Sequence, residues 1–165
     1  MQKILTNSHI NKDWLTKWSK RDDIEVLYPP VNTLKFRPTK EKAPLIVEEH
    51  NNVESIIQKE IHDYYISTSR LKKNKRIERI IHAFIHMPDK NLVVLYNPHD
   101  SEKQQLMQMA SGYNNIYFHY EPNDLRMSQI IASSIASISL AQDENFSMVS
   151  IESMACGIPM ISTND

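Results

Sequence analysis

The chain has 165 residues, 41% of them hydrophobic and 24% charged, which is ordinary globular usage and enough length for one domain with its own core. A net charge of -1 and a pI of about 6.7 supply no field for gathering nucleic acid or anionic lipid. The single cysteine, Cys156, excludes an internal disulfide framework, and no apolar run approaches the roughly 18 residues of a membrane span or forms a signal-peptide core. A cytoplasmic chain with no nucleic-acid partner is the expectation. Glycine is scarce, at 2 residues where average usage gives about 12, so any loop that ordinarily relies on glycine must manage without it.

Lys3 to Thr6 reads as a short strand, and Asn7 or Ser8 can cap a helix carrying Ile10, Trp14, Leu15 and Trp18 on one face. Ile24 to Tyr28 is strand-like and is halted by Pro29-Pro30; Val31 to Pro44 is a connector rich in proline and charge. Residues 45–62 admit a helix, because Val53, Ile56, Ile57 and Ile61 fall at helical spacing and Asn51 or Asn52 could cap it. From Tyr64 onward strand and helix alternate. The strands are 64–67, 91–96, 116–118, 135–140 and 158–162; the helices are 76–87, 101–110, 123–133 and 148–156, with Pro88 and Gly157 as stops. Asn91-Leu92-Val93-Val94-Leu95-Tyr96 is nearly continuously apolar, as in a strand buried on both faces. Such alternation gives an α/β fold, a Rossmann-like parallel sheet flanked by helices. Its ligand crevice lies outside the carboxyl ends of the strands. The loops to inspect are 67–75, 97–100, 119–123, 141–147 and 163–165.

Two of these loops carry candidate chemistry. Ser67 to Arg76 holds five cations (Arg70, Lys72, Lys73, Lys75 and Arg76) and opens a helix whose first N–H groups lack partners, a cradle for phosphate or diphosphate. Basic residues in an exposed loop are equally compatible with simple solvation. On the helix 148–156, Met148, Val149, Ile151, Met154, Ala155 and Cys156 form one apolar sector, Ser150 and Ser153 face away, and Glu152 falls inside the apolar sector. A carboxylate there needs a partner, either a donor of the protein or the hydroxyls of a ligand. Ser147 is a natural N-cap, and Glu144 precedes it in the loop. The seven histidines are scattered; His82 and His86 stand at i, i+4 without a third ligand and read as surface, so no metal is expected.

The stretch from Glu144 to Pro159, Glu-Asn-Phe-Ser-Met-Val-Ser-Ile-Glu-Ser-Met-Ala-Cys-Gly-Ile-Pro, resembles the E-x7-E block of the retaining glycosyltransferase family called group 1 (family 4), which shows E-G-F-G-x-x-x-x-E-A-M-A-x-G-x-P. Ser69-Arg70-Leu71 followed by Lys75 is similar to its G-R-L-x-x-x-K, and Ile80-Ile81-His82-Ala83-Phe84 to its L-I-x-A-F. Thr6-Asn7-Ser8 and Val26 to Asn32 resemble the end of the family's first domain and the link to its second. The resemblance implies a two-domain GT-B architecture, of which residues 1–30 are the end of the N-terminal domain and linker, 31–62 a connector, and 63–165 the donor-binding domain, incomplete at its C-terminus.

By the same resemblance Arg70 and Lys75 hold the donor diphosphate and Glu152 binds the ribose. Glu144 contacts the transferred sugar as the catalytic carboxylate, and main-chain groups of Phe146, Ser147, Met148 and Val149 touch sugar and phosphate. It implies no cofactor or metal and a UDP- or GDP-sugar as donor substrate. The acceptor is a polysaccharide, lipopolysaccharide or glycolipid (a mannosyltransferase is among the options), bound through an N-terminal domain that is missing here, at the inner membrane face in a full-length parent. The chain alone is expected to be inactive and to self-associate. Ser69, Asn145 and Ser147 stand where the family usually has glycine. That departure favours the alternative of a non-catalytic nucleotide-binding or interaction module which kept the fold.

Overall fold

The computed structural model describes residues 3–51 and 55–163. The chain opens with strand β1 (Ile4–Thr6), helix α1 (His9–Ser19) and strand β2 (Ile24–Val26), with β1 and β2 paired in parallel. Ser8 caps α1 by accepting the Asn11 N–H at 3.2 Å, and Lys20 closes it in the left-handed conformation. α1 buries none of its residues; Ile10, Trp14 and Trp18 are exposed, and the two indoles stack with centroids 6.2 Å apart.

The possible helix within 45–62 is replaced by an antiparallel hairpin of β3 (Leu45–Asn51) and β4 (Ser55–Ile61). Leu45 and Val47, two residues apart, enter the core together with Ile61, the register partner of Leu45. Period-2 burial thus overrides the helical spacing of isoleucines whose branched side chains already favour strands. Val53 and Asn52, used in the helical reading, lie outside the described residues.

The remaining elements follow the expected alternation: β5 (Tyr64–Ser67), a 3-10 turn (Lys73–Lys75), α2 (Ile77–Ile85), β6 (Asn91–Leu95), α3 (Lys103–Met109), β7 (Ile116–His119), α4 (Asp124–Ser133), β8 (Ser137–Ser139), α5 (Met148–Ala155) and β9 (Met160–Ser162). β5 to β9 form one parallel sheet in the order β7-β6-β5-β8-β9. The chain reverses its direction of travel across the sheet between β5 and β8, which makes that pair the topological switch point.

Alternation along the strands builds a core on each face. On β6, Val93 and Leu95 join Tyr64, Ile66, Ile131 and the hairpin; Leu92 and Val94 join Leu71, Ile77, Ile80, Ile81 and Phe84. α2 covers its whole apolar pattern and is three residues shorter than the expected 76–87. The Asn115 side-chain amide donates to the carbonyls of Phe84, Met87 and Lys90, taking over the acceptors at the helix end.

Candidate functional site

The carboxyl ends of β5 and β8 bring together groups that are 69 residues apart in sequence. Lys75, at the end of the 3-10 turn after β5, donates to Glu144 in the loop after β8, and both side chains are largely shielded. Arg70, in the same loop as Lys75, is mostly exposed and lies with Nε 3.6 Å from Oδ1 of Asp100, whose side chain is almost fully buried. The other oxygen of Asp100 accepts the Asn97 N–H at 2.9 Å. Asp100 therefore orients Arg70 from below without neutralising it in a hydrogen bond. In sequence, residues 97–100 stand out only as a loop that follows a strand. The signal available was the Asx-type spacing of Asn97 and Asp100.

Two cavities flank this ion-pair seam. One, of about 330 Å³, opens over the ends of β5, β6 and β7 and is lined by Thr68, Ser69, Arg70, Tyr96, Asn97, Asp100, Tyr120, Glu121 and Asp124. The other, of about 250 Å³, lies over β8 and β9 and is lined by Ser139, Glu144, Asn145, Phe146, Ser147, Ser150 and Thr163. A hollow of about 490 Å³ at the opposite end of the sheet is lined by Pro88, Asn91, Gly112 and Asn115. It holds none of the loops that follow the strands, and its Asn115 is committed to closing α2.

At the start of α5, Ser147 accepts the Ser150 N–H at 3.3 Å, as a natural N-cap should. The first N–H groups of α5 have no intrahelical partner and adjoin the smaller cavity, an arrangement that favours an anion. The positions where glycine is missing are not strained. Ser147 has φ -82, and among the described non-glycine residues only Lys20, Asp63, Arg76 and Asp143 have positive φ. Ser69 and Asn145 thus need no left-handed backbone. Where glycine is required it is present: Gly157 has φ +78, and a Cβ there would meet Pro38 Cγ at 3.0 Å.

The helical-wheel reading of α5 needs correction. Ser153 is fully buried while Met154 is 55% exposed, so the face that meets the sheet is rotated toward the serine. Glu152 is half-buried. Burial pushes its carboxyl above the ordinary range, Lys35 acts against that rise, and Asp124 adds to it. Lys35 and Asp124 are themselves an ion pair at 2.5 Å. Lys35 thus acts on Glu152 only through space, while its ammonium is held by Asp124. The ring of Phe146 stacks on Tyr28, just after β2, with centroids 5.6 Å apart, a contact that no local pattern announces. His82 and His86 meet edge to face on the exposed side of α2. Thr163 is the last described residue of the 163–165 loop.

These features define an α/β domain of the Rossmann-like type with cations and carboxylates collected at its switch point. The sequence profile of the glycosyl transferases group 1 family matches residues 48–165, and the chain belongs to that family. Its fold is similar to sucrose-phosphate synthase of Thermosynechococcus elongatus, with a TM-score of 0.74 and 18% identity over 97% of this chain and 40% of that one. It is also similar to a glycosyltransferase of Rickettsia africae, with a TM-score of 0.77 and 19% identity over 99% of this chain and 44% of that one. A third similar structure is the C-terminal domain of a group 1 glycosyl transferase of Francisella tularensis, with a TM-score of 0.60 and 20% identity over 81% and 70% of the two chains. The chain spans less than half the length of the first two. A search of curated proteins returned no match. Among the described residues no helix is long and apolar enough to cross a membrane.

Proposed function

We propose that this chain is the donor-binding part of a retaining glycosyltransferase that takes a sugar linked to a nucleoside diphosphate. The observation that carries the reading is the pairing of Lys75 with Glu144 across the switch point, beside the amino end of α5, with Arg70 in the same loop as Lys75. In a transfer of this kind the diphosphate is the leaving group and gains charge at the transition state. Two cations aimed at it stabilise the transition state more than the ground state. Arg70 and Lys75 take that role, and Glu152 accepts hydrogen bonds from the ribose hydroxyls. Glu144, released from Lys75 when the diphosphate arrives, engages the transferred sugar, with main-chain groups of Phe146 to Val149 alongside. The chemistry needs no metal or cofactor, because the two side chains supply the positive charge.

The acceptor class proposed is a polysaccharide, lipopolysaccharide or glycolipid, with a mannosyl group among the sugars to be tested. It is bound by a domain of a longer protein acting in the cytoplasm at the inner membrane face. The isolated chain binds donor without completing transfer. Exposed Ile10, Trp14, Trp18 and Ile161 favour self-association of the isolated chain, which sedimentation at rising concentration measures.

Calorimetric titration with UDP, GDP and ADP tests the reading. One diphosphate binds saturably, and Arg70→Ala and Glu152→Ala each weaken it by about tenfold to a hundredfold, the range for losing hydrogen bonds to charged groups. Binding that both variants leave intact contradicts the assignment.

A further inference from the structure

The larger cavity over β5, β6 and β7 is lined by one cation, Arg70, and by the carboxylates of Asp100, Glu121 and Asp124. Arg70, with Thr68 and Ser69, follows β5, and Glu121, with Tyr120, follows β7, so the two reach the cavity from either side of β6. The Glu121 side chain is 6% exposed. One of its oxygens accepts the Asn123 N–H at 2.9 Å, and the other lies 3.3 Å from Arg126 Nε and 3.9 Å from His119 Nε2. An ionised carboxylate accepts about four hydrogen bonds and donates none, so acceptor capacity remains for a group entering the cavity. Arg126 itself lines a different hollow, beside β3 and α4, and supplies no donor to this one. A nucleotide whose phosphates lie on the Arg70 side therefore presents its base to a carboxylate.

Resting on the donor reading above, we propose that the nucleotide is a guanosine diphosphate derivative, with the Glu121 carboxylate accepting from N1–H and the 2-amino group of guanine. Guanine is the only common base with two adjacent donors on its pairing edge, which match the two oxygens of a carboxylate. Uracil has a single N–H between two carbonyls, both of which a carboxylate repels. Adenine and cytosine place a ring acceptor beside their amino group, with the same consequence. A site whose buried polar group is satisfied by one ligand and left unpaired or opposed by another discriminates strongly. Tyr120, 43% exposed and 6.0 Å from the Tyr96 ring, offers a face on which any base can stack. It adds affinity without choosing among bases.

The test is titration of the 165-residue chain and of Glu121→Gln with guanosine, inosine and uridine diphosphates. The unsubstituted chain is expected to bind the guanosine compound about tenfold or more tighter than the other two, the inosine compound lacking only the 2-amino group. Glu121→Gln is expected to erase that preference and leave the uridine compound unchanged. Equal or tighter binding of the uridine or inosine compound overturns the guanine assignment while the donor reading stands. Equal weakening of all three by Glu121→Gln also overturns it, showing that the carboxylate only holds the Asn123 turn. Failure of every diphosphate to bind overturns the donor reading and this inference with it.

Discussion

The two halves of the parallel sheet are packed to different degrees. β5, β6 and β7 are covered on both faces, with Ile66, Leu92, Val93 and Val94 at 0% exposure and α2 contributing four buried residues. On the other side of the switch point β9 has an intermediate Met160 and an exposed Ile161 and Ser162, and α5 buries only Ser153. The candidate site straddles that difference. Its cations, Arg70 and Lys75, stand on the densely packed half; its carboxylates, Glu144 and Glu152, stand on the lightly packed one. In the proposed reading, rigid placement matters most for the charges assigned to the diphosphate, since a misplaced donor loses most of its effect on a developing charge. The carboxylates, assigned to hydroxyls in the same reading, tolerate more movement.

Substitutions can break or sharpen this contrast. The largest loss is expected from Ile81→Ala on the dense half, about 2–5 kcal/mol of stability by denaturant unfolding, because a fully buried isoleucine leaves a cavity that its neighbours do not refill. Next comes Gly157→Ala, at a tight contact of the lighter half. Left-handed backbone alone costs about 1–2 kcal/mol for a residue with a Cβ, and contact with Pro38 adds to it.

Glu152→Gln is expected to act in the opposite sense. A carboxyl whose folded pKa is raised by burial makes the folded state bind more protons than the unfolded one. Its contribution to stability therefore falls as pH rises from the ordinary carboxylate range through the folded value. Melting temperatures of the variant should exceed those of the unsubstituted chain at neutral pH and converge with them in acid; convergence at neutral pH and divergence in acid would reverse the sign. The smallest effect is expected from Ile161→Ala, within about 0.5 kcal/mol, as at most exposed positions. A loss comparable to that of Ile81→Ala would remove the distinction between the halves.

The sequence was most readable where burial was periodic and local. The alternation from Tyr64 to Ser162, the apolar β6, and the caps Ser8, Asn123 and Ser147 all have the expected places. Within the site, the loop of Arg70 and Lys75 and the loop of Glu144 were each identifiable from charge and position. Their direct contact follows from the strand order, which places β8 beside β5. What escaped depends on tertiary fit. The 45–62 segment satisfies a helical spacing, yet its Leu45 and Val47 are wanted by the sheet-side core. α5 turns Ser153 rather than Met154 inward. The stacking of Tyr28 on Phe146 and the through-space action of Lys35 on Glu152 are long-range effects without a local signature. α1 and α2 make the same point. Both have an apolar face in sequence, yet only α2 has a sheet against which to bury it.

The most direct test of the central claim, that one anionic ligand is held across the switch point by both halves, is chemical-shift mapping of backbone amides during titration with a nucleoside diphosphate. Saturable shifts are expected in residues 69–75 and 144–149 together, with a common dissociation constant. Shifts confined to one of these loops, or fitted by two different constants, would contradict the account.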